Sequence, residues 1–169
     1  MEYLLPIADQ ISQILKKRSE TISIAESSTG GLISAALLSV QGASAYYVSG
    51  AVIYTHKARL TLTNIGDDDM REMHSASEPY AKLLARATRE RAGTSWGLAE
   101  TGASGPTGNR YGDLPGHTCF AVSSTHSKLF DTAETLETGS TNRIFNMRIF
   151  AKASLELMLK TLQQFDKNN

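Results

Sequence analysis

Cysteine is almost absent from this chain, which has 169 residues and a single cysteine, Cys119. An intrachain disulfide is therefore excluded, and a cytoplasmic location is expected. Neither sign of charge is in excess, because Lys plus Arg and Asp plus Glu number 17 each, so neither nucleic acid nor an anionic membrane is an expected partner. No apolar run is long enough to span a bilayer, and residues 1–6 lack the basic and apolar regions of a signal peptide. What is present, 41% hydrophobic and 20% charged residues, is typical of a soluble globular protein.

Segments with strand-like and helix-like apolar spacing alternate along the chain. Strands are predicted over residues 21–25, 48–54, 95–100, 117–123 and 128–136, and helices around residues 7–15, 32–38, 58–64, 78–92 and 144–162. This alternation predicts an α/β fold, a three-layer α/β/α sandwich with helices on both faces of a sheet. The last three strands follow one another without a helix, so part of the sheet is expected to be antiparallel. The length predicts one domain, residues 1–169.

The segment 25–31, Ala-Glu-Ser-Ser-Thr-Gly-Gly, lies between the first predicted strand and the second predicted helix. It carries three hydroxyls, one carboxylate and two glycines. A strand-to-helix turn of this composition exposes a hydroxyl at the end of a sheet and directs free backbone N–H groups at it. The turn therefore suits a serine nucleophile beside an oxyanion site, and it suits a phosphate-binding turn equally well.

A second, glycine-rich segment, residues 101–116, follows the third predicted strand and contains five glycines. Many backbone N–H groups can converge there on a phosphate or carboxylate. No Lys-Ser or Lys-Thr pair follows the last glycine, which excludes a Walker A loop, and the segment leads into a strand, which excludes a dinucleotide fingerprint. Because loops of this length in compact domains are uncommon unless functional, a binding role is favoured over a plain surface loop.

Taken together, these segments resemble the CinA C-terminal domain family, whose active members are nicotinamide-nucleotide amidases. The resemblance covers nearly the whole chain in colinear order, at residues 25–31, 42–47, 50–54, 77–79, 101–106, 115–118 and 139–143. It implies a three-layer α/β domain, frequently a homo-oligomer, that hydrolyses nicotinamide mononucleotide to nicotinate mononucleotide and ammonia. No cofactor and no metal are implied, and the expected partner is a nucleotide-like small molecule.

The resemblance also implies roles for individual residues. Ser27 matches the nucleophile, and Tyr54 matches a tyrosine expected to assist proton transfer. The backbone N–H groups around residues 28–31 are expected to form the oxyanion hole. The implied substrate-binding residues are Glu26, Ser28, Thr29, Gly30, Gly31, Thr101, Gly102, Ser104, Gly105 and Arg143.

Arg59 stands where the family has a lysine. A lysine can lose its proton and act as a base, whereas an arginine in a protein cannot. Arg59 can therefore donate hydrogen bonds and orient a ligand, but it cannot abstract a proton. Lys57 and His56 are alternative bases. Lysine and histidine side chains, however, lie on the solvated surface more often than they act as bases. We expect Arg59 to lie in the catalytic site and to bind a phosphate or carboxylate through its planar guanidinium group.

Two further residues have alternative interpretations. Glu100 ends the third predicted strand, where the family has an apolar or small residue. A buried carboxylate with an acid/base role is one interpretation, and an ion pair with Arg59 or Arg110 is the favoured one. Cys119 lies in a strand-like apolar run and is expected to be a small core residue rather than a reactive thiol.

Two classes of function therefore follow from the sequence. The first is an amidohydrolase that uses Ser27 on nicotinamide mononucleotide. The second is a binding module that retains a nucleotide or related anion without efficient hydrolysis, which the replacement of the lysine by Arg59 favours. A variant of the first keeps the serine chemistry but changes the substrate. Residues 109–113, Asn-Arg-Tyr-Gly-Asp, replace a segment that is rich in Gly, Glu and Lys in the family, and this change is expected to reshape the pocket.

Overall fold

The computed structural model describes residues 1–126 and 131–167, in which helices and strands alternate. The helices are α1 (Leu5–Arg18), α2 (Leu32–Leu38), α3 (His56–Thr63), α4 (Glu78–Ala92) and α5 (Arg143–Lys167). The strands are β1 (Ile22–Glu26), β2 (Tyr47–Val52), β3 (Trp96–Ala103), β4 (His117–Ser124) and β5 (Thr132–Glu137). Each predicted element is present, and the beginning of the fifth predicted strand, residues 128–130, lies outside the described residues.

The strands form one sheet in the order β2-β1-β3-β4-β5. β1 is parallel to both β2 and β3, whereas β4 is antiparallel to both β3 and β5. The predicted mixed sheet is confirmed. Because β1, β2 and β3 run in the same direction, their carboxyl ends meet at one edge, which is where ligands bind in open α/β sheets.

The two faces of the sheet carry side chains of different size. Large residues of β1, β3 and β4 form one hydrophobic cluster with α1, α2 and α5, and they are Ile22, Ile24, Trp96, Leu98, Phe120 and Val122. Small residues face α4 on the other side, and they are Ala25, Ala99, Cys119 and Ala121. The period of two along each strand places these sets on opposite faces. The predicted three-layer α/β/α architecture is confirmed.

Helix α4 packs closely on the sheet and has well-defined ends. Ser77 Oγ accepts a hydrogen bond from the Tyr80 amide (3.4 Å), and Gly93 follows the helix with φ 64°. Gly97 allows the close approach, because a Cβ on this residue would lie 2.2 Å from the Ala85 carbonyl oxygen.

Among the helices of the described chain, none is long and apolar enough to cross a membrane.

Cys119 is expected to be unreactive in the folded protein. Its thiol is buried, and desolvation raises its pKa to about 11, so little thiolate forms near neutral pH. At pH 8, an aromatic disulfide reagent should label the native protein at least about 100-fold more slowly than the protein unfolded in urea. Comparable labelling rates in the two states would contradict the core assignment.

Candidate functional site

A cleft of about 530 Å³ opens at the carboxyl ends of β1, β2 and β3. It receives residues from the turn after β1, the segment from β2 into α3, the connection between α3 and α4, the end of β3, and the part of the glycine-rich segment that follows β3 (residues 104–116, the glycine-rich loop). Of the predicted site residues, Ser27, Tyr54, Arg59, Thr101 and Gly102 line it. The other lining side chains that carry polar or ionisable groups include His56, Asp67, His74, Tyr80, Arg110 and Tyr111.

Glu26, the last residue of β1, lies beneath the turn and is fully buried. Its Oε2 accepts hydrogen bonds from the Thr29 hydroxyl (2.8 Å) and from the amides of Gly31 (2.9 Å) and Ile33 (3.0 Å). Its Oε1 accepts from the amide (2.8 Å) and hydroxyl (2.6 Å) of Ser34. These donors include the free amides at the N-terminus of α2, which favours a carboxylate. Glu26 therefore holds the turn from inside rather than facing the cleft.

Glu100 on β3 supports the same turn from the neighbouring strand and is also fully buried. One carboxylate oxygen accepts from the amides of Ser27 (3.1 Å) and Thr29 (2.9 Å), and the other accepts from the hydroxyls of Ser28 and Thr118. Burial raises the pKa of Glu100, while these hydrogen bonds act in the opposite direction. The favoured sequence interpretation is wrong, because none of the described contacts of Glu100 involves Arg59 or Arg110.

Most of the amides of residues 28–31 that were expected to form the oxyanion hole are already hydrogen-bonded within the protein, so that expectation is largely wrong. The amides of Thr29 and Gly31 donate to the two carboxylates, and the Gly30 amide donates to the Ser27 carbonyl (3.3 Å). Within the described residues, the Ser28 amide makes no hydrogen bond. The turn thus leaves one backbone donor for a ligand.

Ser27 is the hydroxyl of the turn that reaches the cleft. It is half-buried, and its Oγ makes no hydrogen bond to any described residue. The side chains of Ser28 and Thr29, by contrast, are buried and bonded to the carboxylates below. Gly30 lies at the surface of the turn, where a Cβ would approach Met147 Cε to 3.0 Å. The geometry therefore separates one free hydroxyl from its neighbours.

Arg59, His56 and Asp67 form a linked group in the cleft. Arg59 Nη2 and His56 Nε2 both donate to Asp67 Oδ1, at 2.5 Å and 2.7 Å. The hydrogen bond from His56, together with the charge of Arg59, lowers the pKa of Asp67, so this carboxylate stays ionised near neutral pH. The Arg59 side chain is only 9% exposed, and its Nε is buried without a partner among the described residues. Lys57 is exposed and lies outside the cleft lining.

Tyr54 and Arg143 meet at the rim of the cleft. Tyr54 is 60% exposed, and its hydroxyl accepts a hydrogen bond from Arg143 Nη2 (3.1 Å). Arg143, the first residue of α5, also donates from Nη1 to the Gly105 carbonyl (2.7 Å). Arg143 does not line the cleft itself, but it connects Tyr54 to the glycine-rich loop.

The remaining predicted residues lie where β3 enters the glycine-rich loop. Thr101 Oγ1 accepts a hydrogen bond from the Ala76 amide (3.1 Å) and so fixes one wall of the cleft. Ser104 is buried below this edge, its carbonyl accepts from Asn146 Nδ2 (2.9 Å), and its Oγ has no partner within the described part of the chain. Ser104 and Gly105 therefore lie behind the cleft lining rather than in it.

Several functional candidates were not predicted from the sequence. His74 and Tyr111 stack with ring centroids 5.0 Å apart, and Arg110 lies over the Tyr111 ring at 5.4 Å, which makes an aromatic and cationic wall. His117 donates to Glu137 from Nδ1 and to the Ala76 carbonyl from Nε2 (2.8 Å). Burial alone lowers the pKa of His117, but these hydrogen bonds raise it above its ordinary value. Nothing in the spacing of these residues distinguishes them from surface positions.

No group of three or more His, Cys, Asp or Glu side chains suited to a metal ion occurs in residues 1–126 and 131–167. The groups that line the cleft include the free Ser27 hydroxyl, the His56 imidazole paired with Asp67, and the Arg59 and Arg110 side chains.

Comparison with known proteins finds sequences that resemble this chain over most of its length. The sequence model of the CinA C-terminal domain family matches residues 4–162 of this chain. A CinA-like protein from Salinibacter ruber is 35% identical over 156 residues, which cover 90% of this chain and 36% of that protein. A CinA-like protein from Chlorobium limicola is 31% identical and is matched over 94% of this chain and 37% of its own length. The chain thus spans little more than a third of the length of these relatives.

Solved structures show the same fold. A competence-damaged protein (CinA) superfamily protein from Klebsiella pneumoniae superposes with a TM-score of 0.87 at 19% identity, covering 95% of this chain and 98% of that one. The competence/damage inducible protein CihA from Agrobacterium tumefaciens superposes with a TM-score of 0.85 at 26% identity, covering 95% of both chains.

Proposed function

This chain belongs to the CinA C-terminal domain family, and from that premise we propose that it is an amidohydrolase of the nicotinamide-nucleotide amidase type. Its reaction would convert nicotinamide mononucleotide and water to nicotinate mononucleotide and ammonia. The observation that carries the proposal is the free Ser27 hydroxyl in the cleft, on a turn whose other polar groups are held by Glu26 and Glu100. A nucleophile held by a rigid, hydrogen-bonded support is suited to covalent catalysis.

The surrounding groups supply the remaining requirements of amide hydrolysis. The Ser28 amide is a donor for the oxyanion, and the Tyr54 hydroxyl, which accepts from Arg143, can pass on its own proton. Arg59 offers guanidinium donors to the phosphate of the nucleotide, and Arg110 adds a second cation. The stacked rings of His74 and Tyr111 are a surface on which a pyridine ring can stack.

A second candidate is a binding module for the same class of nucleotide-like anion. Its support is Arg59, which occupies the position of the family's lysine and pairs with Asp67, so no amine base stands there. A serine amidase of altered substrate is supported by the loop at 109–113, where Asn109 Oδ1 accepts from the amides of Tyr111 (3.0 Å) and Asp113 (3.2 Å) and gives the loop a shape of its own. Each version is proposed for a homo-oligomer, as the family resemblance implies, and for the cytoplasm, as the single cysteine favours.

Ammonia release from nicotinamide mononucleotide by the purified chain tests the proposal. Steady turnover that depends on Ser27 supports the amidase. Absence of ammonia, with the nucleotide still raising the melting temperature, would instead establish the binding module, because a ligand that binds the folded state stabilises it. Absence of both effects would contradict the two candidates and leave the altered-substrate amidase.

Arg59→Lys is expected to weaken nucleotide binding about 10-fold, a loss of about 1.4 kcal/mol. Lysine keeps the positive charge beside Asp67 but loses the planar fork that binds phosphate oxygens in pairs. Calorimetric titration of nicotinamide mononucleotide into the variant on a Ser27→Ala background measures the change without turnover. Arg71→Lys is the matched control, since Arg71 is exposed and pairs with Asp68 outside the cleft lining. An unchanged Kd in Arg59→Lys would remove Arg59 from the anion site.

A further inference from the structure

We infer that His56, oriented by Asp67, accepts the proton of the Ser27 hydroxyl in this chain. The inference rests on the proposed function for its substrate, but it concerns how Ser27 is activated when Arg59 occupies the position of the lysine.

The first support is the tautomer of His56. A carboxylate only accepts hydrogen bonds, so the 2.7 Å contact between His56 Nε2 and Asp67 Oδ1 places the ring proton on Nε2. Nδ1 then carries a lone pair and is free to accept a proton. Asp67 stays ionised and holds the ring, which is the role that the carboxylate has in serine–histidine–carboxylate catalysis.

The second support is the position of the two residues in the fold. Ser27 directly follows β1, and His56 begins α3 shortly after β2. β1 and β2 are adjacent and parallel, with Glu26 opposite Val52, and the Ile53 amide donates to the Glu26 carbonyl (2.6 Å). The two chain segments therefore leave the sheet side by side, and Ser27 and His56 line the same cleft.

The third support is the state of the competing groups. The carboxylates of Glu26 and Glu100 are buried beneath the turn and occupied by its donors. Arg59 cannot be deprotonated, and Lys57 lies outside the cleft lining. His74 is the other imidazole in the cleft, but its Nδ1 bonds the Ser75 carbonyl (2.7 Å), and no carboxylate among the described residues orients it. The ionisable groups that share the cleft with His56 are Tyr54, Arg59, Asp67, His74, Tyr80, Arg110 and Tyr111.

The proton transfers balance over the two half-reactions. Ser27 Oγ forms a bond to the amide carbon while its proton moves to His56 Nδ1, and the carbonyl electron pair moves to oxygen. When the C–N bond breaks, His56 returns the proton to the leaving nitrogen, and ammonia departs from an ester on Ser27. Water then attacks the ester and gives a proton to His56, which returns it to Ser27 Oγ as the carboxylic acid is released.

The test uses a reagent that reports serine activation without the nucleotide. An alkyl fluorophosphonate is incubated with the full chain, and the rate of Ser27 modification is followed by mass spectrometry across pH. His56→Ala is expected to lower this rate by about 100-fold or more, as loss of a general base does, and added imidazole should restore part of it. Lys57→Gln is the matched control and should stay within about 2-fold of the wild type.

Each outcome decides the inference. Ser27 labelling that falls in His56→Ala, is partly restored there by imidazole, and also falls in Asp67→Asn supports it. Equal rates in His56→Ala and wild type, no Ser27 labelling of the wild type, or loss of labelling in His74→Asn but not in His56→Ala would overturn it. Labelling that depends on His56 without ammonia release would contradict the proposed function while leaving this inference intact.

Discussion

Ser27→Ala is expected to lower ammonia release from nicotinamide mononucleotide by about 1000-fold or more, because it removes the nucleophile and leaves only binding and oxyanion stabilisation. The Ser27 hydroxyl makes no hydrogen bond to the described residues, so its loss should move the melting temperature by less than about 2 °C. Binding of the nucleotide should persist, since the Arg59 side chain is unchanged. Initial rates and thermal melts of the same preparation measure both effects.

Ser28→Ala is the matched control for this prediction. Ser28 is buried, and its hydroxyl donates to Glu100, so the variant should lose about 1–2 kcal/mol of stability and keep most of the turnover. Turnover that survives in Ser27→Ala and disappears in a folded Ser28→Ala variant would show that Ser28, and not Ser27, is the nucleophile.

Glu26→Ala is expected to destabilise the protein by about 4 kcal/mol, because it leaves buried donors of the turn and of α2 without an acceptor. The lost contacts are the hydrogen bonds from the amides of Gly31, Ile33 and Ser34 and from the hydroxyls of Thr29 and Ser34. For a domain of this length, the change corresponds to a fall in melting temperature of roughly 8–16 °C. Urea unfolding measures the free energy directly.

The control for this stability prediction is Glu156→Ala. Glu156 is 54% exposed and pairs with Lys152 on the surface of α5 (3.4 Å), so its removal should cost less than about 0.5 kcal/mol. A Glu26→Ala variant as stable as Glu156→Ala would show that the turn does not depend on the carboxylate below it.

The order of helices and strands could be predicted because the apolar spacing is clear in almost every segment. Ile22, Ile24 and Ala25 in β1 indicate a strand whatever the neighbouring elements do. The end of β3 was less predictable, because Thr101-Gly102-Ala103 has the composition of a loop. Gly102 is nevertheless a strand residue, because it pairs with Thr118 of the neighbouring β4. A Cβ there would lie 2.5 Å from the His117 carbonyl oxygen, which is why a glycine fits this strand.

The composition of the turn predicted that a hydroxyl lies at the sheet edge, and the family resemblance assigned that position to Ser27 rather than to Ser28 or Thr29. The supports of that turn could not be predicted. Glu100 is 73 residues away from Ser27 in the chain, and only the pairing of β3 with β1 places its carboxylate under the turn. Composition suggested that an arginine would neutralise it, whereas the turn supplies amide and hydroxyl donors instead.

The partner of Arg59 illustrates a second limit of sequence reasoning. Three consecutive aspartates occupy residues 67–69, and no local pattern distinguishes the one that meets the cleft. The structure selects Asp67, which joins Arg59 and His56, while Asp68 pairs with Arg71 on the surface. Which of the three aspartates pairs with Arg59 depends on the path of the chain after α3, and the spacing of charges in the sequence does not predict that path.

The central claim is that Ser27 becomes acylated by the substrate in this cleft. Its most direct test is acid quenching of the protein during turnover of nicotinamide mononucleotide, followed by mass spectrometric fragmentation of the peptide that contains residues 25–31. The account predicts a nicotinate mononucleotide ester on Ser27 that disappears as substrate is exhausted and is absent from Ser27→Ala. Ammonia release without any adduct on Ser27, or with the adduct on another residue, would contradict it.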